Sequence, residues 1–310
     1  MNDVISGFIE KVGGENLKNH LFYLAKDPLP YRKVDYTVPG HSKSTLDETD
    51  DFVRGKLEEC GYTVERESVK VRVFGRDISK PKSQQFAPPP PDFPYYTAYN
   101  LYAKKKGTVY PGKIIVIVSH KDSPSWVDSP GAHDNAVGTV ANLEIARILK
   151  DYQPKHSMWF LFCNEEHTPW TSVTAANKSR ERGDDLIAIF NLDGLAGKSK
   201  EENDCGRKTN VILYTKHKGK KIADVAMRVN SEYNFGLVQK EFKRENPGDD
   251  DGSFIRAGYH AAVAMIGSYP YANPDYHSEG DTPESVDLVN LTLSAKLTLA
   301  TVLNVDMSWR

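Results

Sequence analysis

The sequence predicts an α/β protein, a three-layer α/β/α arrangement around a mixed and largely parallel central sheet, and three observations carry that expectation. First, residues 114–118, 158–163, 186–192, 211–214 and 262–266 are short, nearly continuous apolar runs, which read as strands buried on both faces. Second, residues 137–150, 221–233 and 288–305 show helical periodicity, so strands and helices alternate along this half of the chain. Third, residues 62–74 alternate in part, with Val64, Val69, Val71 and Val73 set among charged residues, as a half-buried antiparallel strand would.

In chain order, residues 1–27 read as helical. Thr45 with Glu48 three positions later fits a capping box for an amphipathic helix that presents Phe52, Val53 and Leu57 on one side and stops at Gly61. The half-buried strand follows, and a further strand fits residues 98–104. Between them, at about 80–94, lie Lys80 to Ala87 and then the four prolines Pro88 to Pro91, which cannot join a sheet; a stiff, exposed surface loop is expected. The rest is the alternating half already described. One main domain over residues 1–310, carrying this loop as an insertion, is the expected organisation.

Composition excludes some classes. The 40 basic and 42 acidic residues give a net charge of −2, which supplies no footprint for nucleic acid or an anionic membrane. No apolar run approaches the ~18 residues of a membrane span, and the opening lacks the pattern of a signal peptide. The chain as written is expected to be cytoplasmic, or secreted or periplasmic if a signal peptide preceded it. Three widely spaced cysteines, Cys60, Cys163 and Cys205, suggest neither a disulfide framework nor a zinc knuckle, and Cys163 reads as a small buried hydrophobe.

The chemistry lies in short segments that each deliver a hard ligand from the end of an apolar run: Ser119-His120-Lys121-Asp122, Gly131-Ala132-His133-Asp134-Asn135, Asn164-Glu165-Glu166, Asn191-Leu192-Asp193-Gly194 and Tyr276-His277-Ser278-Glu279. Loops after the carboxyl ends of parallel strands converge on one crevice. Two imidazoles and three carboxylates, with a further Glu, make up a donor set for a pair of zinc ions sharing a carboxylate. Asp122, two residues after His120, is placed to orient that ring. Asp134 stands before a helix, where an N-cap role competes with metal binding. Neighbouring side chains at a strand end diverge, so one of Glu165 and Glu166 can bind metal while the other acts as general base. His133 is expected to be a supporting or surface residue.

In order and setting these segments resemble peptidase family M28, the co-catalytic zinc aminopeptidases, whose pattern reads His-x-Asp-Ser, Gly-Ala-x-Asp-Asn-x-x-Gly, Glu-Glu, Asn-Leu-Asp and His-x-x-x-Asp-Thr. Lys56 to Val64 is similar to that family's helix-Gly-Tyr-strand entry. The resemblance implies the zinc-dependent exopeptidase fold and two zinc ions bridged by Asp134. One ion would also be held by His120 and Asp193, the other by Glu166 and His277, with Glu165 as base and Asp122 orienting His120. The implied substrate is a peptide cleaved at its amino-terminal bond. Tyr269, Tyr271 and Tyr276 are candidate oxyanion donors and Trp126 and Trp170 candidate pocket walls, with plain packing the alternative role for each. The fold also hosts single-zinc glutaminyl cyclases and non-catalytic binding modules, which remain alternatives. The chain departs from the pattern at residues 167–172 and at Asp249-Asp250-Asp251, where Asp251 replaces His. These changes predict a narrowed crevice lined with carboxylates.

Overall fold

A computed structural model describes residues 2–309. Eleven strands and nine α-helices alternate: α1 (Asp3–Ile9), α2 (Gly14–Ala25), α3 (Thr45–Glu59), β1 (Val64–Val73), β2 (Gly75–Arg76), β3 (Phe86–Ala87), β4 (Tyr96–Lys105), β5 (Tyr110–His120), α4 (Val137–Leu149), β6 (His156–Cys163), β7 (His167–Thr168), α5 (Thr171–Arg182), β8 (Asp185–Leu192), α6 (Lys200–Asp204), β9 (Thr209–Tyr214), α7 (His217–Glu232), β10 (Val238–Lys243), α8 (Asp249–Arg256), β11 (Ala262–Ile266) and α9 (Leu288–Ser308). Nine strands form one sheet in the order β10-β9-β11-β8-β5-β6-β4-β1-β7. The central pairs β6-β5, β5-β8 and β8-β11 are parallel, whereas β11-β9, β6-β4, β4-β1 and β1-β7 are antiparallel. The expected mixed, centrally parallel sheet is therefore present.

Strand alternation sorts the core into two layers. Ile115 and Ile117 of β5, with Phe160 and Phe162 of β6, pack under α1, α2, α3, α4, α7 and α9. Val116, Val118, Leu161 and Cys163 face the opposite way, with Ala175 and Ala176 of α5 and Phe254 of α8. A Leu or Ile truncated to Ala in either layer would cost about 2–5 kcal/mol, because close-packed surroundings only partly refill the cavity. Helix α9 is long and apolar enough to cross a membrane, with a mean hydropathy of 1.4, which corrects the expectation that no segment reaches that length. Its apolar residues Leu291, Leu297, Leu299, Val302 and Leu303 are instead buried in the first layer.

Several local expectations shift. The amino-terminal helical region is two helices broken before Gly14, and Ser44, not Thr45, caps α3 by accepting the Asp47 amide. Helices α5 and α8 and strand β10 were not anticipated. The Pro-rich loop lies at the surface as expected, but it is not free: β2 and β3 form a small hairpin that folds residues 75–91 back toward the His277 loop. It is a docked strap. Gly75 is required there, because a Cβ would lie 2.8 Å from the Pro88 carbonyl oxygen.

Candidate metal centre

His120 ends β5, and its buried ring is fixed from both sides. Nδ1 lies 3.2 Å from Asp122 Oδ1, while Nε2 points to Asp134 Oδ1 at 3.1 Å and Asp193 Oδ1 at 3.6 Å. The carboxylate does set the tautomer, leaving Nε2 for a cation. Asp122 does more than the sequence suggested. Its oxygens also accept the Glu165 amide at 2.9 Å, the Glu166 amide at 2.8 Å and His167 Nδ1 at 2.7 Å. Burial alone would raise the Asp122 carboxyl, but His120 and His167 hold it well below the usual carboxylate range. One anion thus orients a histidine and fixes the backbone of both glutamates.

Asp134 sits in an irregular turn before α4. Gly131, at φ +59, opens the turn, and a Cβ there would lie 2.5 Å from the Asp134 carbonyl oxygen, so only glycine fits. The competition over capping is resolved by the neighbour: Asn135 Oδ1 accepts the Gly138 amide at 2.9 Å, which leaves the Asp134 carboxylate free. Oδ2 of Asp134 lies 2.9 Å from His277 Nε2, so its two oxygens face two imidazoles from different loops. His277 Nε2 is also 3.6 Å from Glu166 Oε1. His133 is buried rather than on the surface, and its Nδ1 binds Asp281 Oδ1 at 2.7 Å.

Asp193 follows β8 directly, and its Oδ2 accepts the Tyr271 hydroxyl at 3.1 Å. His277 adopts φ +56, rare for a side chain with a Cβ and concentrated at functional sites. Its Nδ1 donates to the Ser83 carbonyl of the strap at 2.8 Å, Tyr276 stacks on it at 3.8 Å, and Trp126 meets it edge-on at 4.9 Å. Tyr269 is turned away toward Phe242, and Trp170 stands at the start of α5.

All seven residues singled out by the sequence therefore meet in one buried cluster. The donor atoms of His120, Asp134 and Glu166, and separately of His120, Glu165 and Asp193, lie within 4.8 Å of one another. Asp134 Oδ2, Glu165 Oε2 and His277 Nε2 are buried without a hydrogen-bond partner. The 2.9 Å approach of His277 to Asp134 is close but not aligned as a hydrogen bond, so both atoms face a shared point. Burial with Asp250 and Asp249 nearby pushes Glu165 well above the ordinary carboxyl range, and burial with Asp134 raises Glu166 to about 7. So much buried negative charge is costly unless cations share the space. Orphaned donors of nitrogen and oxygen type fit divalent zinc.

Residues that the sequence reading missed support this cluster. Arg32, fully buried, donates to the Lys121, Leu24, Pro130 and Gly131 carbonyls, tying the His120 and Asp134 segments together. His167 lies under Asp122, and β7 pairs with the end of β1, so residues 167–172 dock on the sheet edge instead of crowding the site. The acids expected beside the site are there, since Asp250 and Asp249 add to burial in raising Glu165, but their charge is partly neutralised. Arg244 pairs with Asp249 at 2.6 Å and with Asp251 at 2.5 Å, and Asp250 and Asp251 are fully buried. A pairing cation with no helical spacing to its acids leaves little signal in sequence.

Comparisons with known proteins bear on this geometry. A probable aminopeptidase of Saccharomyces cerevisiae is 23% identical over 230 residues, covering 70% of this chain; the chain spans 60% of that relative's length. Among solved structures, a zinc aminopeptidase from Bacillus subtilis superposes with a TM-score of 0.66 at 13% identity, covering 93% of this chain and 94% of that one. A glutaminyl cyclase from Bacteroides thetaiotaomicron superposes with a TM-score of 0.69 at 17% identity, covering 94% and 98%. These likenesses establish a shared fold. The sequence profile described as "Peptidase family M28" matches residues 100–302, which hold every one of the seven clustered residues, and the chain belongs to that family.

Proposed function

We propose that this chain is a zinc-dependent exopeptidase that removes amino-terminal residues from peptides. The observation that carries the reading is Asp134, whose two oxygens face His120 and His277 from either side, at 3.1 and 2.9 Å. In this reading His120, Asp134 and Asp193 would hold one zinc ion, and Asp134, Glu166 and His277 would hold a second. When bound, zinc supplies Lewis-acid polarisation of a carbonyl and acidifies water.

The chain's own residues do the rest. Glu165, buried and with Oε2 unpartnered, takes a proton from the attacking water and returns it to the leaving nitrogen. Its backbone amide donates to Asp122, which fixes where the side chain leaves the chain. Asp193 is steadied by Tyr271, whose hydroxyl also reaches Asp249 Oδ2 at 2.8 Å. That engagement makes Tyr271 a group that orients Asp193 and leaves Tyr276, stacked on His277, as a wall.

Because Arg244 neutralises Asp249 and Asp251, recognition of a substrate ammonium falls to the carboxylates of the centre itself. Free-amine peptides should therefore be cleaved and amino-acetylated versions of the same sequences ignored. Equal cleavage of both would reject the aminopeptidase reading even with zinc in place. The glutaminyl cyclase reading is supported by the structural likeness alone. Cyclisation of Gln-initiated peptides by a protein with one zinc would favour it. A non-catalytic module is disfavoured because each ligand position and the base retain the residue that the chemistry needs.

A further inference from the structure

We propose that Lys121 is a positioning residue of the metal centre. Its buried ammonium ties the loop that carries His120 and Asp122 to the loop that carries Glu165 and Glu166, and Asp50 of α3 supplies the counter-ion that lets it stand there. The inference rests on the aminopeptidase reading and extends it to the residues that set the spacing between its ligands and its base.

Lys121 stands between a proposed ligand and the anion that orients it, and its fully buried side chain reaches across to other elements. A lysine is almost never fully buried unless it is paired. Nζ donates to Asn164 Oδ1 at 2.7 Å and to the Tyr99 carbonyl of β4 at 2.8 Å, and it faces Asp50 Oδ1 at 3.1 Å. Asp50 is buried too, and its Oδ2 lies 3.7 Å from Arg66 of β1. Apolar side chains of similar volume often replace such a buried pair without loss of stability, so stability alone does not account for it. What an apolar side chain cannot do is hold Asn164.

Asn164 directly precedes the two glutamates, and the hydrogen bonds around it form a ladder. The Lys121 amide donates to the Cys163 carbonyl at 2.9 Å, Lys121 Nζ to Asn164 Oδ1, and the Glu165 and Glu166 amides to Asp122. Rung by rung, these continue the parallel pairing of β5 with β6 beyond His120 and Cys163, where the strands end. The two loops therefore leave the sheet in register, which fixes the backbone of Glu165 and Glu166 relative to His120. The Tyr99 carbonyl also accepts Asn164 Nδ2 at 3.1 Å, so β4, β5 and β6, neighbours in the sheet, close a ring around the lysine. Among the described residues Asp50 pairs with Lys121 and Arg66 and with no residue of the centre, so it acts through the lysine. With a neutral residue at 121 the middle rung is lost, and Asp122 alone holds the glutamates.

The test separates positioning from support with the double variant Lys121→Met/Asp50→Asn, which removes the ion pair without orphaning a charge. Melting temperature, zinc affinity by competition with a chelator, and kcat and KM on Leu-Gly-Gly are measured on the full chain. The expected result is a melt close to wild type, with zinc affinity and kcat each lowered about 10-fold or more and KM little changed. Wild-type values for all of them would make the pair plain support and overturn the proposal. Asn164→Ala, which keeps the ion pair, reads the same rung from the other loop and decides the question if the double variant does not fold. It should show the same loss of zinc affinity, and unchanged affinity overturns the proposal. The three substitutions together should lose no more than either set alone, because one rung is broken only once; additive losses would also overturn it. Zinc affinity is read without substrate. Its loss in these variants of a protein that cleaves no peptide would keep the positioning role and sink the aminopeptidase reading. Unaltered affinity and kcat in an active peptidase would do the reverse.

Discussion

The buried pairs His120–Asp122 and His156–Asp306 stand at opposite ends of the same sheet, and of these two only the first belongs to the candidate metal centre. His120 closes β5 and lies 3.2 Å from Asp122; His156 opens β6 and lies 3.1 Å from Asp306 of α9. Both rings are essentially without solvent contact. Asp306 also accepts the His156 and Lys155 amides and the Tyr152 hydroxyl, and Tyr110 stacks on His156 with centroids 5.0 Å apart. The second pair is thus a bolt between α9 and the start of β6. The orienting carboxylate is common to both, so it does not make a metal site. At His120 the free nitrogen meets the carboxylates of Asp134 and Asp193, brought by loops that leave the carboxyl ends of parallel strands; at His156 no such convergence exists among the described residues.

The comparison can be broken at several points. The largest effect is expected at the base: Glu165→Gln should keep the metal and lower turnover by a factor of about 10² to 10⁴, the usual contribution of a positioned general base. Near-normal turnover in steady-state kinetics would assign the role elsewhere. Next comes the orienting anion. Asp122→Asn removes the charge that fixes His120 and His167, and zinc affinity, measured by competition with a chelator, should fall about 10- to 100-fold. If affinity held, the pairing would be no more than a structural bolt like its counterpart. The smallest functional effect belongs to that counterpart. Asp306→Asn should lose about 1–3 kcal/mol of stability in a denaturant melt, because buried partners are left poorly matched, with zinc content and turnover unchanged. Loss of zinc there would refute the separation of the two ends.

What the sequence disclosed follows from the same contrast. His120, Glu165, Glu166 and Asp193 were legible because each stands immediately after an apolar run, and a buried parallel strand announces its own end. Asp134 was legible from its small-residue turn, although the sequence alone could not show that Asn135 takes over the capping. What escaped notice depends on contacts distant along the chain. Ser83 meets His277 across 194 positions, and Arg32 reaches the Lys121 carbonyl across 89. Nothing in the composition of a proline-rich segment says that it docks on a histidine. Helix α5 was missed because it buries only small and hydroxyl-bearing residues, among them Ala175 and Ala176, and β10 because an edge strand reading Val-Gln-Lys-Glu-Phe-Lys leaves most positions exposed or half-exposed. The acids at 249–251 were legible as charges but not as partners of Arg244.

The proposed bridged centre turns on Asp134, whose two oxygens face His120 and His277, and zinc counting on purified protein, wild type beside Asp134→Ala, tests it most directly. Two zinc ions per wild-type chain are predicted, together with joint loss of zinc and activity in the variant, since the deleted carboxylate serves both ions. A single zinc in the wild type, or two retained after Asp134→Ala, would contradict the bridged centre.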